Sequence, residues 1–336
     1  MSEIRYSKFD NQYVIIAPER FHKPLNKDCS YSKEDIICCP FCAGREEKTT
    51  KEIFSIKENG RWLTRVVPNL YTALNLETKF ESKRERFFES FGGFGMHEVI
   101  VDTPKHISIF EFSEKKYFYL LKTIRARVED LKKDSRIKYL SIFKNHGLNA
   151  GATQSHPHSQ IIGMPILPIA KKELLQREFD YYRTHGRKLL MDIIEEEIED
   201  DKRVLFKNRN FVSFMPYASL FPFEVMISTL DNSFSFTNFN DIRLGELASI
   251  THKTMELLHK EIGEFDFNIE FFEPPINKNF DTEDFFDSIE NFHLFYIRIR
   301  PRIFNLAGFE VMNEMYINPA EPEFIKSVLD EYKLLN

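Results

Sequence analysis

The chain has 336 residues, 42% of them hydrophobic and 29% charged, with a formal charge of −6 at pH 7. That length suits one large domain or two ordinary ones. The mildly acidic balance, with Lys and Arg spread along the chain, offers no basic field for nucleic acid, and no apolar run is long enough to span a membrane.

The start, Met1-Ser2-Glu3-Ile4-Arg5-Tyr6, lacks the apolar centre of a signal peptide, so a cytoplasmic location is expected. Tyr13 to Arg20 reads as a short strand ending in a proline turn that presents Arg20, with Lys23 three places on. All four cysteines, Cys29, Cys38, Cys39 and Cys42, lie near this end, a poor pattern for stapling a long chain with disulfides. The spacing of Cys39-Pro40-Phe41-Cys42 lets two thiolates grip one tetrahedral ion; it also suits a redox pair or two idle thiols.

A strand through Trp62–Val67 enters Pro68-Asn69-Leu70-Tyr71, where Asn69 readily closes a turn. His97 to Val101 alternates as a strand does and ends at the turn Thr103-Pro104, just before His106. Between Lys115 and Lys132, the residues Tyr117, Leu121, Ile124, Val128 and Leu131 recur at helical spacing. Another strand, Tyr139–Lys144, leads into Asn145-His146-Gly147-Leu148-Asn149-Ala150-Gly151-Ala152-Thr153-Gln154-Ser155-His156-Pro157-His158-Ser159-Gln160. Small residues come first, where a bare backbone can approach an anion and offer its N–H groups. His156, His158 and Gln160 then stand at alternate positions, which in an extended segment face one way.

Past a charged helical connector, Lys171 to about Arg203, the pattern recurs. Phe223 to Thr229 echoes His97 to Thr103 at an offset of 126 (224 − 98), and a second apolar stripe, Leu244, Leu247, Thr251, Met255 and Leu258, follows it. A strand at Phe265–Glu270 stands at the same offset from Tyr139 (265 − 139), so two copies of one α+β unit are expected.

The run Asn-x-Gly-x-x-x-Gly-x-Thr-x-x-His-Pro-His-x-Gln from Asn145 to Gln160 resembles the active-site segment of the galactose-1-phosphate uridylyltransferase family, including its ADP-glucose phosphorylase branch, within the histidine-triad superfamily. The resemblance implies an α+β fold with a duplicated histidine-triad-like half and mixed or antiparallel sheets with covering helices. Residues 1–170 would hold a zinc knuckle and the active site, and residues 171–336 a degenerate second half ending in a sugar-binding tail. It assigns one structural Zn²⁺ per subunit to Cys39, Cys42, His106 and His156, with Cys38 and His97 as competing candidates. His158 becomes the nucleophile and Gln160 a phosphate donor. Arg20 and Lys23 meet substrate phosphate, Asn69 meets the base or ribose, and Asn145, Gly151 and Thr153 line the phosphate pocket. Glu310, in a tail reaching the partner's site of a homodimer, would bond sugar hydroxyls. Tyr316 stands where the uridylyltransferases carry Gln, and Tyr316-Ile317-Asn318-Pro319 is typical of the phosphorylase-like branch. In the second half, His293 is a stray histidine where many members carry a metal-binding pair, so one active site per subunit is expected.

The activity so implied moves UMP between UDP-hexose and hexose 1-phosphate through a nucleotidyl-histidine, with ping-pong kinetics. Gln160 has no proton to give a leaving group, which favours a phosphate-bearing acceptor over water. One alternative is a phosphorylase using inorganic phosphate on an ADP-sugar or a dinucleoside polyphosphate. Another is a non-catalytic, zinc-stabilised nucleotide-binding protein.

Overall fold

A computed structural model describes residues 2–21, 37–277 and 287–334 of the chain; Lys23 and Cys29 fall outside them. The chain opens with an antiparallel hairpin, β1 (Glu3–Ser7) and β2 (Gln12–Ile16). Next come β3 (Phe54–Glu58), β4 (Arg61–Pro68), an exposed hairpin of β5 (Ser82–Glu85) and β6 (Phe88–Phe91), and β7 (Met96–Val101). Helix α1 (Glu114–Leu131) separates these from β8 (Tyr139–His146) and β9 (His158–Met164). The charged connector is two helices, α2 (Ile169–His185) and α3 (Leu189–Asp200), the first closed by Gly186 in the left-handed region. Then follow β10 (Val204–Lys207), β11 (Phe211–Phe214), β12 (Val225–Thr229), α4 (Asp241–Ile262) and β13 (Phe267–Phe272). The chain continues through α5 (Ile289–Phe292), β14 (Tyr296–Pro301), α6 (Gly308–Asn313), β15 (Tyr316–Asn318) and α7 (Pro322–Leu334).

Ten strands form one sheet in the order β10-β11-β12-β14-β13-β8-β9-β7-β4-β3, antiparallel at every step. Read inward from either edge, the order is the same: β3-β4-β7-β9-β8 meets β10-β11-β12-β14-β13 back to back where β8 pairs with β13. Amphipathic α1 and α4 cover one face together, burying Leu121, Ile124 and Val128 beside Leu244, Leu247 and Leu258 over Ile100, Ile142, Ile227 and Ile269. On the other face, α2 and α3 cover the second half, packing Leu174, Leu190 and Ile194 on Phe214, Met226, Phe272 and Tyr296. No described helix is long and apolar enough to cross a membrane.

The repeat differs from the sequence expectation by one residue. An offset of 126 would carry Ile100 and Ile142 onto Met226 and Asn268 (100 + 126, 142 + 126), which face away from the shared core, whereas 127 carries them onto Ile227 and Ile269, which lie in it. The helix starts agree (241 − 114 = 127). A one-residue slip exchanges the faces of every strand residue. Glu98 and Glu224, matched at 126, accordingly turn opposite ways: Glu98 pairs with Arg127 of α1, and Glu224 with Arg298 and Arg300.

Candidate active site

Four side chains from three places in the chain converge at the start of β9. The ligand atoms of Cys39, Cys42, His106 and His156 all lie within 4.8 Å of one another. Nδ1 of His156 is 3.5 Å from Cys39 Sγ and 3.7 Å from Cys42 Sγ, and Nδ1 of His106 is 3.7 Å from Cys42 Sγ. Bonds of about 2.3 Å to sulfur and about 2.0 Å to nitrogen space the corners of a tetrahedral shell by roughly 3.5–3.8 Å. The cluster therefore has the dimensions to hold one metal ion. The far nitrogens are also engaged: His156 Nε2–H donates to the Thr103 carbonyl at 2.7 Å, and His106 Nε2 lies 3.0 Å from Ser155 Oγ. Such partners fix the tautomer that leaves Nδ1 bare for a metal. Burial and the neighbouring Cys39 push the Cys42 thiol up to about 11, a crowding that a dication would relieve. Of the competing candidates, Cys38 is exposed and His97 bonds elsewhere.

His156 sits in a bend before β9, so the expected row of three shortens to His158 and Gln160, which share one face of the strand. His158 Nδ1 lies 2.9 Å from the carbonyl oxygen of His156. A carbonyl can only accept, so Nδ1 carries the proton and Nε2 keeps its lone pair; no described residue hydrogen-bonds Nε2. Burial, then the Lys144 ammonium, holds His158 below the ordinary histidine range, in its neutral form. From the opposite face, Lys144 Nζ donates to the His158 carbonyl at 2.9 Å and to Asp102 Oδ2 at 2.7 Å. Asp102 in turn accepts from Ser159 Oγ and donates its backbone N–H to the Pro157 carbonyl. The strand around His158 is thus pinned from behind by a buried ion pair.

Gln160 Oε1 lies 2.8 Å from His97 Nε2, which also meets Asn69 Nδ2 at 3.1 Å. Asn69 Oδ1 accepts from the Tyr71 N–H at 2.9 Å, so this side chain both closes its own turn and reaches the Gln160 neighbourhood. His97 was weighed in the sequence only as a metal ligand. Its link to Gln160 joins residues 63 positions apart.

The small-residue loop departs from expectation. Its amides at Ala150, Gly151 and Ala152 bond back to the carbonyls of Gly147 and Leu148, leaving those of Thr153 and Gln154 without a described protein acceptor. Gly147 and Gly151 both adopt φ +84. Asp266 Oδ2 accepts the Asn149 N–H at 2.7 Å, and Asn268 Nδ2 donates to Asn145 Oδ1 at 2.8 Å, so the second half braces the loop of the first. Nothing local in the sequence marks Asp266 or Asn268.

Arg20 lies exposed in a short turn after Pro18. Glu310 Oε2 caps its own helix α6 through the Ala307 N–H, and Tyr316 packs against Phe221. In the second half, matched registers put Tyr296 where the first has His158 and Arg298 where it has Gln160. Tyr296 is buried and stacks on Phe272, and His293 Nδ1 lies at hydrogen-bond distance, 2.8 Å, from Glu178 Oε2.

Two family models match in tandem: "Galactose-1-phosphate uridyl transferase, N-terminal domain" over residues 1–168 and the C-terminal domain of the same name over residues 173–315. The ADP-glucose phosphorylase of Arabidopsis thaliana is 28% identical, spanning 99% of this chain and 93% of its own length. The galactose-1-phosphate uridylyltransferase of Thermotoga maritima is 25% identical over 96% of each. A crystal structure of the Arabidopsis ADP-glucose phosphorylase with bound ADP-glucose superposes with a TM-score of 0.81 over 98% of both chains at 28% identity. The chain belongs to the galactose-1-phosphate uridylyltransferase family.

Proposed function

We propose that this protein transfers a nucleotidyl group between phosphate-bearing partners through His158. Nε2 attacks the α-phosphorus of a nucleoside diphosphate sugar, a P–N bond forms, and the bond to the bridging oxygen breaks, releasing sugar 1-phosphate. The second partner's phosphate oxygen then displaces the imidazole. The observation that carries this reading is the free, unprotonated Nε2, set by the Nδ1–H bond to the His156 carbonyl and by burial. Gln160 offers amide hydrogens to a non-bridging oxygen but no transferable proton, which leaves water unassisted. Asn145, Gly151 and Thr153 line the phosphate path, Arg20 and Lys23 add positive charge, and Asn69 lies towards the nucleoside. Zn²⁺ at Cys39, Cys42, His106 and His156 would be structural, fixing the strand that carries His158.

For the substrate pair, ADP-glucose with inorganic phosphate as acceptor is favoured by the likeness to the Arabidopsis enzyme over nearly the whole chain and by Tyr316-Ile317-Asn318-Pro319. UDP-hexose with a hexose 1-phosphate is the second reading, favoured by the family's name and the Thermotoga relative. We further propose two functional halves, 1–170 and 171–336, one active site per chain, and a homodimer in which the tail bearing Glu310 and Tyr316 approaches the other copy's site.

Mass spectrometry after incubation with ADP-glucose or UDP-glucose tests the reading. AMP or UMP should be added to His158, and His158→Ala should bind nucleotide without gaining mass. A parent protein that binds nucleotide yet never gains mass would leave a non-catalytic binder in its place. Release of the adduct by inorganic phosphate, or only by galactose 1-phosphate, separates the two substrate pairs.

A further inference from the structure

His97 and Gln160 meet across two strands. In the register of β7 with β9, Gln160 stands opposite Val99, so His97, two residues before Val99, lies diagonally across on the same face. The duplication repeats the arrangement: an offset of 127 carries His97 onto Glu224 (97 + 127), and the matched registers carry Gln160 onto Arg298. Glu224 and Arg298 form an ion pair at 3.6 Å, buried in the second half. The first half has half-buried His97 and Gln160 in the same two places, with Gln160 two residues from His158.

Backbone groups fix the His97 ring. The Ala73 N–H donates to Nδ1 at 3.3 Å, and the His97 carbonyl accepts the Asn69 N–H at 2.8 Å. A backbone N–H cannot be turned round, so Nδ1 is the acceptor and the ring's proton sits on Nε2. Nε2–H then donates to Gln160 Oε1 at 2.8 Å. Asn69 Nδ2 also approaches Nε2, at 3.1 Å, but the Tyr71 N–H on Asn69 Oδ1 makes that nitrogen a donor, and two donors form no bond. With Oε1 so held, the planar amide turns its NH2 away from His97, and no described residue accepts from it. An unheld amide would present its oxygen to an anionic phosphate as readily as its hydrogens.

We infer that His97 is a positioning residue: its Nε2–H locks the Gln160 amide so that the NH2 hydrogens meet the α-phosphate oxygens as the bond to His158 forms. The role in turnover rests on the nucleotidyl-transfer reading above. His97 also ties this donor to the loop of residues 69–73, whose own N–H groups hold it.

Single-turnover adduct formation with ADP-glucose, and titration calorimetry with AMP, test this on the full chain. Losing a preorganised donor to the reacting group slows a reaction by about a hundredfold to a thousandfold, and Gln160→Ala should fall on that scale. His97→Phe keeps a ring and loses both nitrogens; it should slow adduct formation by about tenfold or more and leave AMP binding nearly unchanged. His97→Gln restores an N–H near the place of Nε2 and should recover much of the rate. Added to Gln160→Ala, His97→Phe should cost nothing further, because it acts only through the amide. Nitrogen NMR of histidine-labelled protein, with His97→Gln to assign the signal, should show a proton on Nε2 and a bare Nδ1 at residue 97. An unchanged rate in His97→Phe, a further loss in the double variant equal to that in the parent, or a proton on Nδ1 overturns the assignment. Absence of any adduct in the parent overturns the nucleotidyl-transfer reading instead, and the tautomer, read without substrate, then judges the His97–Gln160 bond on its own.

Discussion

Gly147 and Asp266 fit together only because residue 147 has no side chain: a Cβ there would lie 1.6 Å from Asp266 Oδ1. The same carboxylate accepts the Asn149 N–H through its other oxygen, so the contact sets the shape of the loop between β8 and β9. Gly147→Ala must strain a residue at φ +84 and ψ 161, a region open essentially to glycine alone, at about 1–3 kcal/mol, and displace Asp266 as well. Calorimetry should show a lower unfolding temperature, and nucleotidylation of His158 should fall steeply. Asp266→Asn keeps the size of the side chain and should produce a milder defect. Wild-type behaviour in Gly147→Ala would mean that the loop rearranges freely and that its geometry is unimportant.

Metal removal gives the second expectation. Elemental analysis should find one zinc per chain, lost in Cys39→Ser and in His106→Ala and kept in His158→Ala. Strong chelators should lower the unfolding temperature and slow adduct formation together, because the cluster anchors His156, two residues before His158. Full activity in metal-free protein would show that the anchor is dispensable.

The Cys39–Cys42 pair and the His158–Gln160 face were legible because local spacing carries them, whereas His106 and His156 joined the ligand set only through the family resemblance. Two thiols at the spacing of Cys39 and Cys42, and polar residues alternating along a strand, need no knowledge of distant contacts. The offset of the repeat was misread because Glu98-Val99-Ile100-Val101 and Glu224-Val225-Met226-Ile227 look alike at 126, and only the packed faces distinguish that from 127. Asp266 and Asn268 escaped notice for a different reason. They reach the loop between β8 and β9 through the pairing of β8 with β13, which no short-range pattern encodes. The small residues of the loop let its backbone approach an anion, but backbone amides satisfy themselves wherever a turn allows it, and those of Ala150, Gly151 and Ala152 do.

Lys144 and Asp102 form an ion pair with side chains 1% and 0% exposed. Removing one member of such a pair commonly costs about 3–5 kcal/mol, because the other charge is left buried alone. Lys144→Met should therefore destabilise the protein by that order, as read from denaturant unfolding. It should also release the His158 carbonyl, so adduct formation should slow in the fraction that remains folded. The double variant Lys144→Met with Asp102→Leu should recover much of the stability and little of the rate. Equal recovery of both would assign the pair to packing alone.

Glu273 gives a pH-dependent expectation. Burial pushes its carboxyl up to about 8, against bonds from Ser235 Oγ and the Phe236 N–H and a nearby Lys132. In the unfolded chain the same carboxyl ionises near about 4.3. Between those values the folded protein holds a proton that the unfolded chain has released, so stability falls as pH rises through this window and levels off above it. The slope from this one group is at most about 1.4 kcal/mol per pH unit. Glu273→Gln cannot ionise and should be offset by a constant amount for its altered bond to Phe236. The difference in unfolding free energy between the parent and this variant should therefore slope between pH 5 and pH 8 in the variant's favour as pH rises. A flat difference across that range would mean that the carboxylate is solvated or paired in the folded protein.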